Sequence, residues 1–128
     1  MKYLYGFIIL VIIVILIQYI NSGDKMNNYN KISFAKMYQM IEENIDYKII
    51  DVRTKEEYND GRIPKSISLP LAEISNITNI ISYKDKTLFI YCRSGVRSRE
   101  ASIELINMGY TKVYDVGGII EYSQKLEY

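Results

Sequence analysis

Apolar residues run without interruption from Phe7 to Ile17 (FIILVIIVILI), and tolerating Gly6, Gln18 and Tyr19 extends the run to Tyr3–Ile20. Beyond residue 20 the pattern changes abruptly. The stretch 21–29 is polar, holds a glycine and several asparagines, and reads as a linker. Across residues 30–128 short β-branched runs alternate with helical spacing.

Ser33 can cap a helix whose apolar positions Phe34, Met37, Tyr38, Ile41 and Ile45 share one face. Lys48–Val52 is a strand candidate, and Thr54 followed by Glu57 has the capping-box form that starts a short helix. Gly61 and Pro64 mark a turn before a strand at Ser66–Leu69, which Pro70 ends. Leu71–Ser82 reads as helical in part. Thr87–Tyr91 (TLFIY), wholly β-prone and uncharged, is the clearest buried strand. Ser98–Met108 places Ala101, Leu105 and Met108 on one helical face and has Gly109 just past its end. Lys112–Val116 is a further strand, followed by Gly117-Gly118 and a final helix. This alternation predicts an α/β fold with an open, mainly parallel sheet covered by helices on both faces, preceded by one hydrophobic N-terminal helix.

As a helix, eleven residues reach about 16 Å and eighteen about 27 Å, close to the roughly 30 Å of a bilayer core. Tyrosines at both ends of the longer run suit the headgroup region. Lys2 before an apolar core also fits a cleaved secretory signal, but no A-x-A pattern stands near Ile20–Gly23. No cysteine precedes Cys92, which excludes a lipoprotein signal. A buried core helix is disfavoured because nothing polar interrupts the run. Residues 1–20 are therefore read as a membrane anchor, with a signal segment as the alternative, and residues 3–20 as the part in contact with the membrane. Lys2 favours an inside N-terminus against the opposing Lys25, Lys31 and Lys36, which places the domain outside the cytoplasm.

Charge then separates the two parts. Residues 1–23 carry only Lys2, leaving the body formally neutral within a chain of 16 basic and 15 acidic residues. A neutral body argues against nucleic acid as a partner, since phosphates need a surplus of Lys and Arg. The chain has no histidine, which removes Ser–His–Asp and Cys–His catalysis and the common zinc sites. Its one cysteine, Cys92, forms no intramolecular disulfide, CxxC pair or metal cage. No metal and no cofactor is expected. Chemistry is left to a lone thiol, a carboxylate or a hydroxyl.

Cys92 follows the Thr87–Tyr91 strand and precedes the helix near Ser98, where ligands of open parallel sheets bind. A loop turning from strand into helix aims successive N–H groups at one point, and the helix terminus adds partial positive charge. Gly95 permits the positive φ such a curl needs. Three of the five arginines, Arg93, Arg97 and Arg99, lie around this loop. Lowering an ordinary thiol pKa of about 8.5 by two units takes about 2.7 kcal/mol. Amides, helix terminus and guanidinium groups are a sufficient source without a base. A cysteine after an apolar strand is commonly an inert core residue, yet such a residue gains nothing from a flanking R-S-G-V-R-S. The site reading is preferred.

Four pieces, in order, carry a family resemblance: Ile50-Asp51-Val52-Arg53 with Glu57-Tyr58; Gly61-Arg62-Ile63-Pro64 with Leu69-Pro70; Tyr91 to Ser98; and Gly109-Tyr110, Val113-Tyr114 and Gly117-Gly118-Ile119. Together they resemble a rhodanese-like domain of the single-domain sulfurtransferase type, covering residues 30–128. The resemblance implies a five-stranded sheet and a persulfide on Cys92. Its thiolate would take the sulfane sulfur of a small anion such as thiosulfate or polysulfide and pass it to cyanide, a thiol or a protein acceptor. Arg93, Ser94, Gly95, Val96, Arg97 and Ser98 would bind the donor, with Arg93 and Arg97 on its oxyanion group. Asp51, Arg53 and Glu57 would form a supporting polar network beneath the loop. The alternative is a persulfide carrier or binding module without turnover. A minor one is a phosphatase or arsenate reductase, which resemble C-x5-R; here the arginine comes at Arg97, as C-x4-R, and Ser98 stands in its place. The chain departs from the family pattern at Arg62, Lys65 and Ser66, where histidine, glycine and alanine are usual.

Overall fold

The computed structural model describes residues 1–26 and 28–128. Five strands, β1 (Asn30–Lys31), β2 (Tyr47–Asp51), β3 (Ser66–Ser68), β4 (Thr87–Cys92) and β5 (Val113–Gly118), form one sheet in the order β1-β5-β4-β2-β3. Every pairing is parallel. The helices are α1 (Lys2–Met26), α2 (Phe34–Glu42), α3 (Lys55–Asn59), α4 (Ile77–Ile80) and α5 (Val96–Asn107). The expected α/β fold with a five-stranded sheet and an apolar N-terminal helix is present.

Central β4 is buried at every position, which is why its sequence is uncharged rather than alternating. Its side chains still divide by the period of two. Leu88, Ile90 and Cys92 enter one core with Ile74, Ala101 and Leu105, while Phe89 and Tyr91 enter the other with Met37 and Ile49. The chain leaves β2 toward β3 on one side and β4 toward β5 on the other. The crevice at the carboxyl ends of β2 and β4 is therefore the switch point of the sheet.

Local signals explain the boundaries. Ser33 Oγ accepts the Lys36 N–H at 3.1 Å and starts α2. The helix stops before Ile45 because Asn44 turns the chain at φ 60°. Thr54 and Glu57 make the reciprocal capping box of α3. The segment expected to be partly helical is a 3-10 turn, Leu71–Asn76, running into α4. Gly109, at φ 101°, ends α5.

The two ends of the chain depart from the expected pattern. Strand β1, two polar residues at the sheet edge, has no apolar pattern that would predict it. The last strand continues through Gly117-Gly118, and the expected final helix is only a 3-10 turn, Ile119–Glu121. The chain end instead bridges Arg62, whose N–H and C=O both bond Glu127 at 2.8 Å. Of the stretch 21–29 read as a linker, residues 21–26 continue α1, and Asn27 lies outside the described residues. Helix α1 is long and apolar enough over Lys2–Ile20 to cross a membrane, and none of that span is buried in the protein, which removes the core-helix alternative.

Beside the switch point, the register between β4 and β5 slips. Ile90 pairs with Asp115, but Tyr91 pairs with Gly117. The bulge at Val116 is held by Gly117, at φ 86°, whose N–H bonds Asp115 Oδ1 at 2.9 Å. It sets Gly118 opposite Cys92.

Candidate active site

Cys92 is the last residue of β4, one step earlier than a place in the loop. Alternation along the strand turns its side chain to the α5 side, beneath the curl rather than at its rim, and the residue is 0% exposed. The Gly95 N–H donates to Cys92 Sγ at 3.0 Å. Gly95, at φ 106°, is the N-cap of α5, so the helix starts at Val96 rather than Ser98. The first intrahelical bond runs from the Arg99 N–H to Gly95 O at 3.2 Å. The amides of Val96, Arg97 and Ser98 precede it, at the positive end of the helix. The curl thus brings together a buried sulfur, one amide already bonded to it and a helix terminus.

Strand β5 is the floor of this curl. A Cβ on Gly118 would lie 2.3 Å from Arg93 O and 2.8 Å from Ser94 Cα, so only a glycine lets the loop settle on the strand. The Ile120 N–H, from the following turn, bonds Arg93 O at 3.3 Å. Gly118 belongs to the site although no role was read for it. Its signal was the Gly117-Gly118 pair, which a linear reading takes for the end of a strand.

The six expected binding positions divide. Arg93, Ser94 and Val96 are exposed at the loop surface. Gly95 faces the sulfur. Ser98 is buried, and its Oγ donates to Gly95 O at 3.1 Å, so it fastens the loop instead of facing a donor. Arg97 is half-buried and makes two bonds to Glu57, Nη1 to Oε1 at 2.7 Å and Nη2 to Oε2 at 3.0 Å. The Arg97 bond, which outweighs burial, holds the Glu57 carboxyl at about 2 instead of 4.5, and the bonds from Thr54 add to it. The same bond pushes Arg97 up, with the Cys92 charge a smaller contribution.

The support network also divides. Arg53 donates to Asp51 through Nη2 at 2.7 Å and Nε at 3.1 Å, and to Gly61 O at 2.7 Å. Tyr91 OH donates to Asp51 Oδ2 at 2.7 Å and accepts the Ile63 N–H at 3.2 Å. Ser66 Oγ lies 3.0 Å from the same hydroxyl and donates to Ile63 O. Burial first, and then the Asp51 charge, pushes the Tyr91 phenol up. Asp51 and Arg53 therefore belong to one buried cluster with Tyr91 and Ser66, whereas Glu57 belongs to Arg97. The position of Tyr91 inside the apolar run of β4 hides its polar role in the sequence. Arg62 turns away, lying 4.8 Å over the Tyr58 ring and 3.8 Å from Glu127.

Two clefts flank the loop. One of about 350 Å³ is lined by Arg53, Glu57, Arg93 and Ile120, and another of about 540 Å³ by Tyr29, Lys31, Ser94, Gly95 and Arg99. Among the described residues no group of three His, Cys, Asp or Glu stands close enough to hold a metal ion.

A family model described as the rhodanese-like domain matches residues 33–125. A sulfurtransferase of Allochromatium vinosum is 35% identical over 96 residues, which cover 74% of this chain and 89% of that protein. YrkF of Bacillus subtilis, named for a sulfur-carrier role, is 30% identical over 108 residues, covering 84% of this chain and 58% of that protein. Among solved structures, a rhodanese with anions from E. coli superposes with a TM-score of 0.60 at 32% identity, covering 63% of this chain and 96% of that one.

Proposed function

The chain belongs to the rhodanese-like domain family, and from that membership we propose that it transfers sulfane sulfur through a persulfide on Cys92. The Cys92 thiolate attacks the outer sulfur of thiosulfate or a polysulfide. The S–S bond of the donor breaks, its electron pair leaves with sulfite or the shortened polysulfide, and Cys92–S–S⁻ remains. A thiophile such as cyanide, a thiol or a protein thiolate then attacks the outer sulfur, and the Cys92 thiolate departs. No proton has to move in either step with an anionic thiophile, so the lack of histidine is no obstacle.

The observation that carries this reading is the Gly95 N–H on Cys92 Sγ at the N-terminus of α5. An anion one atom farther out meets the remaining amides of the curl. Arg93 is assigned to an anionic donor directly, Arg97 as the second guanidinium of the loop with its charge tempered by Glu57, and Ser98 to loop geometry. Asp51 and Arg53 support the ends of β2 and β4. The C-x4-R spacing leaves a smaller ring than the C-x5-R of phosphatases and arsenate reductases, which favours a sulfur atom over a phosphate.

A persulfide carrier is the second reading. The full burial of Cys92 favours it, since a shielded persulfide survives until a partner opens the loop. The relative named for a sulfur-carrier role is in keeping with it. Thiocyanate formation from cyanide and a sulfane-sulfur donor, thiosulfate or a polysulfide, separates the two. Transfer requires turnover by the full chain that Cys92→Ser abolishes; a carrier gains one sulfur without turnover. Activity retained in Cys92→Ser defeats both. We further assign α1 to a bilayer, holding the domain at the outer face of the membrane.

A further inference from the structure

We propose that Glu57 is a specificity-determining residue that acts through Arg97, matching the Cys92 site to a donor of low charge, an organic hydropersulfide, over a dianion such as thiosulfate. The inference rests on the sulfur-transfer reading and narrows its donor.

Most of the positive charge around the loop is compensated. Of the three arginines around the loop, Arg93 and Arg97 belong to the curl, and Arg99 lies on the other cleft, 5.7 Å from the Tyr29 ring. Arg97 is engaged at both nitrogens by the Glu57 carboxylate, at 2.7 and 3.0 Å. Behind the loop, Arg53 is cancelled by Asp51 at 2.7 Å, and Arg62 faces Glu127 at 3.8 Å. Among the described residues Arg93 is the curl guanidinium left without a carboxylate. Glu57 and Asp60 also line the cleft that Arg93 enters, and with Arg53 and Arg97 each paired to a carboxylate, Arg93 is the guanidinium there with its charge uncompensated. The Thr54 capping box holds the carboxylate in place, with its Oε1 accepting from Thr54 N and Oγ1 at 3.3 and 3.2 Å. Anchored at both ends, Glu57 does not swing away when a second negative charge approaches.

With a hydropersulfide the step is Cys92–S⁻ + R–S–SH → Cys92–S–SH + R–S⁻. The thiolate attacks the outer sulfur, the S–S bond breaks, and the electron pair leaves with the R–S⁻ thiolate. Charge is −1 on each side. Thiosulfate brings two further negative charges to the same sulfur.

The test measures protection of Cys92 against iodoacetamide by methanesulfonate, a monoanion, and by sulfate, a dianion of similar shape, in the full chain and in Glu57→Gln. Neutralising Glu57 raises the potential at the curl, and a dianion feels this twice as strongly on a logarithmic scale. We expect similar half-protective concentrations in the native chain. In Glu57→Gln the value falls about threefold for methanesulfonate and about tenfold for sulfate. Glu57→Asp, which keeps the charge, stays with the native chain. Equal changes for both anions in Glu57→Gln, sulfate already far superior in the native chain, or no protection by either anion overturns the proposal. Because the readout is alkylation, it stands apart from turnover. A chain that shows the charge pattern yet forms no persulfide refutes the transfer reading alone.

Discussion

Lys65 shows how a departure from a family pattern becomes a physical quantity. The position is usually glycine, and the structure explains why, since residue 65 has φ 67° in the turn before β3. A side chain there costs of order 1 kcal/mol. Lys65→Gly therefore raises the unfolding free energy, by up to about 1 kcal/mol in urea denaturation; a decrease would contradict the strain. The Arg97–Glu57 pair gives a second residue-scale expectation. Glu57 binds its proton less readily when folded, so its pairing contributes fully above pH 4.5 and is lost as pH falls toward about 2. The stability gap between the native chain and Glu57→Gln narrows through that window and is constant above it. The family resemblance groups Asp51, Arg53 and Glu57 as one support network beneath the loop. It does not show Arg97, forty residues away, claiming Glu57, or Tyr91 claiming Asp51. Such partners are chosen by the register of β2 against β4, which no local spacing encodes.

Among the elements, those with local causes were legible. The Ser33 cap, the Thr54–Glu57 box and the Gly109 stop each act within a few residues, and each appears where the sequence puts it. The short edge strand β1 and the extension of β5 through two glycines depend on tertiary pairing, and the sequence was silent on both. That extension matters most. The bulge at Val116 brings Gly118 under Arg93 and Ser94 with no room for a methyl group. Gly118→Ala should displace the curl by an ångström or so and cut sulfur transfer by about a hundredfold, with helix content unchanged by circular dichroism. Activity within twofold of native would show that β5 does not shape the loop.

Across the whole molecule, two regions with opposite surfaces share one chain. The domain buries its apolar residues in two cores on either side of the sheet, whereas Lys2–Ile20 buries none. Exposed apolar area on that scale fits the assignment of α1 to a bilayer proposed above. The full chain is expected in the membrane pellet after alkaline carbonate washing; recovery in the supernatant would argue against anchoring.

The domain positions one thiol at the switch point of a parallel sheet, with the Gly95 N–H on its sulfur and the N-terminus of α5 beside it, in a protein without histidine. The most direct measurement is intact mass of the full chain after incubation with a sulfane-sulfur donor and again after cyanide. One added sulfur is expected on Cys92, removed by cyanide with release of thiocyanate, and absent in Cys92→Ser. A chain that never acquires that sulfur, or a Cys92→Ser variant that transfers it equally well, contradicts the account.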